Sequence, residues 1–341
     1  MKKISFITTK CYHKNLLFRN RDYSSEIGNY DKYIKLHELF RENGYFLATN
    51  DINRPEESDL LLYFDMPSKN PDLKYYDKSF LLALESPLAK PRNLDKKLHK
   101  YFKKIFTWND DHVDNNKYIK INYSFNFQNR VKQAIPKQKF SCLIVSNKHS
   151  SHPNELYSQR RKLINWFNLN YVHKFDLYGY GWGAFKFRGN KYIRLLNYVP
   201  FLNDIWYELF GKKYKAYKGT VSNKYEIMSK YKFAFSYENI SGYNGYITEK
   251  IFDPFLAGTV PIYLGSENIL DYIPNNTFID IRNFKDFDHL YNYLTNLNQL
   301  EYEEYLHNIN NFLKSKDALR FSSDTFAKTI VENCLSDEYH L

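Results

Sequence analysis

Residues 231–265 read YKFAFSYENISGYNGYITEKIFDPFLAGTVPIYLG. Tyr231, Phe233, Phe235 and Tyr237 alternate with Lys232, Ala234, Ser236 and Glu238, the period of two that marks a strand. The strand runs out at Glu238 and Asn239. A loop follows in which Gly242 and Gly245 can take positive φ without a Cβ penalty. Thr248 then caps a helix that opens with Glu249 and Lys250, Gly258 ends it, and residues 259–264 form the next strand. The unit is strand, glycine loop, helix, strand, a βαβ repeat of about 30 residues.

This arrangement suits an anion. A helix start offers free N–H groups and the positive end of the helix dipole, and Lys250 adds a full positive charge in the same turn. Glu249 makes better sense as an acceptor for sugar hydroxyls, so the turn as a whole suits a nucleotide sugar. The plainer reading is a capped helix whose Glu249 and Lys250 face solvent, and on spacing alone that reading leads, because short glycine-loop motifs are weak. Two prolines add expectations: Pro254 should kink the helix, and Pro261 should mark a bulge or a broken ladder. The glycine loop is a candidate for closure over a bound donor.

The three ordered blocks YKFAFSYEN, GYITEKI and AGTVPIYLGS resemble the donor-site signature of the α-1,3/4-fucosyltransferases, glycosyltransferase family 10. The match is far longer than a lone glycine motif and reverses the odds. The resemblance implies a GT-B fold, two Rossmann-like α/β domains with a cleft between them. It implies GDP-fucose as donor, inversion at the fucose anomeric carbon, and no required cofactor, a divalent metal being at most stimulatory. It also implies a glycan acceptor of the GlcNAc or N-acetyllactosamine type, linked α-1,3 or α-1,4. Residues 1–135 are expected to bind acceptor and residues 138–315 the GDP-sugar, with a helix in 316–341 packing back on the first domain.

Length and composition fit two globular domains. The chain has 341 residues, 43% of them hydrophobic, which excludes a disordered chain. No run of 18 apolar residues occurs, so no transmembrane helix is expected. Cys11, Cys142 and Cys334 are odd in number and widely spaced, which gives neither a disulfide framework nor a metal spacing and points to a reducing compartment. Lacking the membrane anchor of animal family members, the sequence looks like a bacterial-type, cytoplasmic version. The net charge of +11 favours anionic partners. No nucleic-acid motif accompanies it, and it is compatible with peripheral contact at an anionic inner-membrane surface. The chain shows no basic heptads or amphipathic tail of the kind some bacterial members use to reach membranes.

In the first half, apolar runs at residues 3–8, 45–48, 59–65, 80–84 and 105–108 alternate with helices expected at 26–43 and 93–104, the pattern of a parallel sheet covered on both faces. Glu85 closes the run at 80–84, just before Ser86 and Pro87. Ligands of open parallel sheets gather beyond the carboxyl ends of strands, and a carboxylate placed there among apolar residues can act as a base. Spacing alone favours a capping or ion-paired Glu85. The family resemblance carries the general-base role to Glu85. Asp110 and Asp111 are weaker alternatives, better read as solvated turn residues. Residues 124–138 lack periodicity and mark the domain boundary.

The second half opens with a strand at 140–145, a polar loop containing His149 and His152, and a helix at 155–167. The two histidines have no third ligand nearby and read as loop residues. In the helix, Arg160 falls within the apolar face of Leu156, Leu163, Ile164 and Phe167. A buried guanidinium needs a partner. A diphosphate, a carboxylate or a path to solvent would each serve. The resemblance assigns Arg160 to the donor phosphates, with Arg161 as the alternative, and places Asn239 and Tyr246 on the donor, Glu249 on a sugar hydroxyl and Lys250 on the diphosphate. Lys224 is a weaker phosphate candidate. Residues 184–214, rich in Tyr, Lys and Asn, read as an insertion near the mouth of the cleft. Asp286 and Asp288 are spaced like a metal motif but sit at a helix start, where an N-cap is the better reading. Two other functions stay open: transfer from another GDP-sugar, and binding without catalysis.

Overall fold

The computed structural model describes residues 1–19, 30–127, 136–187 and 189–336. Six strands form a first sheet: β1 (Lys2–Ile7), β2 (Tyr45–Thr49), β3 (Leu60–Phe64), β4 (Ser79–Ala83), β5 (Lys104–Thr107) and β6 (Tyr118–Lys120), in the order β2-β1-β3-β4-β5-β6. Every pairing is parallel. The strands read as continuous apolar runs because both faces are covered. Helix α1 (Asp31–Glu42) buries Tyr33, Leu36 and Phe40 against one face.

A second parallel sheet contains β7 (Lys139–Ile144), β8 (Phe175–Tyr178), β9 (Tyr231–Tyr237), β10 (Val260–Leu264) and β11 (Ile279–Asp280), in the order β11-β10-β9-β7-β8. Its helices are α2 (Tyr157–Asn170), α3 (Lys191–Leu195), α4 (Leu202–Phe210), α5 (Lys224–Met228), α6 (Glu249–Ala257), α7 (Phe287–Asn296) and α8 (Gln299–Lys314). The last described helix, α9 (Ser323–Leu335), leaves this domain. Its Phe326, Ile330, Val331 and Leu335 complete the core of the first sheet with Ile4, Phe6, Leu36 and Phe40. The chain therefore crosses twice between domains. At the crossing Phe125 N–H donates to the Phe321 carbonyl at 2.8 Å, and the Phe125 ring stacks on Phe252 at 4.4 Å.

Several local expectations change. The helix expected over 93–104 is instead two short tight turns, because Asp95 accepts the Lys97 N–H at 3.1 Å and restarts the chain. The helix expected over 26–43 spans Asp31–Glu42, its first expected residues lying outside the described ones. Pro261 makes no bulge: β10 stays in register with β9 through it. Pairing with β11 begins only at Ile262, so the missing N–H interrupts no ladder there. Much of the expected boundary segment, residues 128–135, lies outside the described residues. Among the described residues, no helix is long and apolar enough to cross a membrane.

Candidate active site

The end of β4 is held by a buried polar network. Asp65, at the end of β3, is buried and takes a left-handed φ of +59°. Its Oδ1 accepts the backbone N–H groups of Leu84 and Glu85, both at 2.9 Å, and the Asn93 amide at 2.7 Å. Asn93 also donates to the Glu85 carbonyl at 3.1 Å, and its Oδ1 accepts the Met66 N–H at 2.7 Å. The Leu84 carbonyl accepts from Trp108 Nε1 at 2.9 Å and from the Tyr123 hydroxyl. The backbone of Glu85 is thus fixed from both sides while its side chain remains exposed. Loss of water from the crowded cleft raises the carboxyl pKa. The like charges of Asp65 and Glu249 raise it further, against Lys148 and Lys250.

The end of β9 is crowded with formal charge. Glu238 is fully buried, and its carboxylate accepts the Thr248 N–H at 2.8 Å and the Thr248 hydroxyl at 2.7 Å. This ties the end of β9 to the N-cap of α6. Lys250 Nζ lies 2.7 Å from Glu249 Oε1 and 3.7 Å from Glu238 Oε2. Burial opposes ionisation of Glu249, but Lys250 and Lys224 overcome it and hold that carboxyl well below its ordinary range. Burial raises the Glu238 carboxyl, with Lys250 pulling the other way. Arg160, on α2, is 3% exposed. Its Nη2 donates to the carbonyls of Tyr237 at 2.5 Å and Glu238 at 2.8 Å, and to Asn239 Oδ1 at 3.1 Å. Its guanidinium lies over the Tyr157 ring, and its Nε makes no hydrogen bond.

A cavity of about 280 Å³ opens at this strand end. Arg160, Asn239, Glu249, Lys250 and Lys224 line it, together with Lys148 and the Gly179-Tyr180 turn after β8. Arg161 is elsewhere, donating to the Lys148 carbonyl at 2.9 Å. Lys224 pairs with the buried Asp253 at 2.6 Å. Tyr246 does not line the cavity. It is buried between the domains, with its ring 4.7 Å from Trp108 and 5.9 Å from Tyr123.

Other residues acquire positions that their sequence context did not disclose. Asp110 is no solvated turn residue. It accepts from Lys120 at 2.5 Å within its own domain, and from Tyr272 at 2.6 Å and Asn268 at 2.8 Å across the interface. Asp111 accepts from Asn244 at 3.0 Å. The glycine loop is wedged against this latch: at Gly245, φ is +79° and a Cβ would lie 2.3 Å from the Trp108 carbonyl oxygen. Lys32, on α1, lies over Tyr33 at 5.4 Å and Tyr123 at 5.9 Å. Burial lowers its pKa to about 8, against the attraction of Glu249 and Glu85. No motif in the sequence flags Lys32, and Glu238 looks there like an ordinary strand end. His149 faces Asn147 at 3.2 Å, His152 accepts the Asn154 N–H at 3.2 Å, and Asp286 caps α7 through the His289 N–H at 2.8 Å. Among the described residues, no group of three or more His, Cys, Asp or Glu is placed to hold a metal ion.

Residues 182–335 match the model of the glycosyltransferase family 10 (fucosyltransferase) C-terminal region. The matched segment includes β9, the glycine loop, α6 and β10, and with them Glu238, Asn239, Glu249 and Lys250. Arg160 and Glu85 lie outside the matched segment.

Among curated proteins, the chain is similar to the α-(1,3)-fucosyltransferase FucT of Helicobacter pylori, 36% identical over 121 residues, covering 33% of this chain and 25% of that enzyme. It is also similar to the GDP-fucose protein O-fucosyltransferase 3 of Gallus gallus, 40% identical over 87 residues, covering 25% of this chain and 18% of that enzyme. The matched part thus spans a quarter or less of each of these relatives. Among solved structures, an α1,3-fucosyltransferase with GDP superposes with a TM-score of 0.54 at 19% identity, covering 98% of this chain and 90% of that one. That likeness speaks to the fold, which is GT-B: two Rossmann-like domains, each built on a parallel sheet.

Proposed function

We propose that this protein is an inverting fucosyltransferase that moves L-fucose from GDP-fucose to a hydroxyl of a GlcNAc- or N-acetyllactosamine-type glycan, in α-1,3 or α-1,4 linkage. One observation carries the reading. Arg160 and Lys250 line one cavity beside Asn239 and Glu249, within a family 10 domain, while Glu85 enters the same electrostatic field from the opposite strand end.

The diphosphate binds against Arg160, whose Nε is unpaired, and against Lys250 and the first turn of α6. Glu249 and Asn239 accept or donate to hydroxyls of the donor. Tyr246 supports the glycine loop from the domain interface. The acceptor hydroxyl oxygen forms its bond to the anomeric carbon as the bond from that carbon to GDP breaks. The hydroxyl proton passes to Glu85, and the bonding pair leaves with GDP. A raised pKa makes Glu85 a stronger base once ionised. Arg160 and Lys250 oppose the negative charge that grows on the leaving diphosphate. No step in this scheme needs a metal ion.

The test is GDP release from GDP-fucose with and without N-acetyllactosamine, with GDP-mannose as a competing donor. The proposal expects acceptor-dependent release that is fastest from GDP-fucose, with a fucosylated product by mass spectrometry. Faster turnover of GDP-mannose would overturn the donor assignment. Tight GDP binding without turnover across a panel of glycan acceptors would make the protein a binding module.

A further inference from the structure

After β8 and Trp182 the chain makes an excursion and returns at Lys215, whose N–H donates to Asn168 of α2 at 2.8 Å. Its described residues form a unit with a small core of its own. Trp206 packs on Phe187 at 5.5 Å and Phe210 at 4.8 Å, and Asn197 closes on both the N–H and the carbonyl of Phe187 at 2.9 Å. Asn190 caps α3, accepting from Tyr192 and Ile193 at 3.1 Å. This core leaves most of the apolar surface outside. More than half of the large hydrophobic residues that are exposed, among the described residues, fall within residues 192–210. Tyr198 is 84% and Phe201 76% exposed, and Tyr192, Leu195, Leu209 and Phe210 are each more than half exposed. Phe201 follows Pro200 at the turn between α3 and α4 with a left-handed φ of +60°, an uncommon conformation for a bulky residue.

Scattered exposed hydrophobic residues need no explanation, but their concentration in one short stretch marks an interaction site. Its charge selects the partner. Lys191, Arg194, Lys212, Lys213 and Lys215 lie within or beside the same stretch of chain, against Asp204 and Glu208, the latter paired with Lys213 at 2.6 Å. Exposed aromatic and leucine side chains interspersed with lysine and arginine are the composition of an interfacial membrane element, in which the rings enter the headgroup layer and the cations meet phosphates. A second copy of this chain would bring a like-charged rim against the first. We propose that residues 189–215 dock this protein on an anionic lipid bilayer. The docking lies beyond the transferase reading and does not depend on it. The excursion follows the Gly179-Tyr180 turn that lines the cavity.

Vesicle flotation tests this directly. Vesicles of phosphatidylcholine with phosphatidylglycerol are compared with phosphatidylcholine alone, at low and high salt. The wild type should float with the anionic vesicles and be released by salt. Tyr198→Ser, Phe201→Ser and Leu209→Ser combined should weaken binding more than about tenfold, while the thermal unfolding midpoint stays unchanged as the check on folding. Lys191→Gln and Arg194→Gln should each cost roughly fivefold. The proposal is overturned if the wild type ignores anionic vesicles, or if the triple variant floats as well as wild type. It is also overturned if the patch instead drives a lipid-independent dimer that the triple variant abolishes.

Discussion

The ends of β4 and β9 face one cleft and are built by opposite means. At β4, one buried carboxylate, Asp65, accepts two backbone N–H groups and an amide, and a single side chain, Glu85, projects from the fixed backbone. At β9, formal charges crowd together: Glu238, Glu249 and Lys250 within the capped turn, Arg160 on the strand-end carbonyls, and Lys224 on Asp253. A group that gives and takes a proton needs one adjustable pKa and a fixed position. A site for a diphosphate needs cations held in place before the ligand arrives. On the proposed function, proton transfer falls to the first domain and nucleotide binding to the second.

Removing each element breaks the contrast in a different observable. The largest effect is expected from Glu85→Gln, which should lower kcat by about 10²–10⁴ in an acceptor-dependent GDP-release assay. A variant as fast as wild type would take the proton-transfer role away from the end of β4. Arg160→Ala comes next. It should lower kcat by about 10²–10³ and weaken GDP binding as well, since the same guanidinium serves ground state and transition state. Unchanged GDP affinity would detach Arg160 from the diphosphate.

Gly245→Ala probes the seam between the two domains. Positive φ and a Cβ against the Trp108 carbonyl should cost about 1–3 kcal/mol of stability, read as a lower thermal midpoint. A midpoint equal to wild type would mean that the loop stands free of the latch around Asp110.

The smallest effect is a shift in pH dependence. The base must be ionised, so kcat/KM should fall as pH drops through the Glu85 pKa, with a midpoint above the ordinary glutamate value of 4.5. Asp65→Asn keeps an oxygen acceptor for the two N–H groups but removes a like charge that raises the Glu85 pKa. The acid limb should therefore move to lower pH, and a limb that moved upward would contradict the network drawn here.

The parts of this design that were legible in the sequence depend on near neighbours. The alternation in Tyr231–Tyr237 and the flanking Thr248 and Gly258 suffice to locate β9 and α6, which form as those residues indicate. Arg160 is legible because it interrupts an apolar helical stripe, and it is buried on α2. The supports of Glu85 are not legible. Asp65 and Asn93 are 20 and 8 residues away from it: Asp65 meets it because β3 and β4 are adjacent in the sheet, and Asn93 because the turn at Pro91–Leu94 carries it back. Asp110 looks like a turn residue because its partners, Asn268 and Tyr272, lie about 160 positions on. Pro261 suggests a bulge because the sequence cannot say that the neighbouring β11 is short.

The division of labour is tested most directly by titrating GDP into Glu85→Gln and Arg160→Ala side by side in a calorimeter. The account predicts wild-type affinity for Glu85→Gln and a clear loss for Arg160→Ala. Loss of GDP binding in Glu85→Gln, with wild-type affinity in Arg160→Ala, would contradict it.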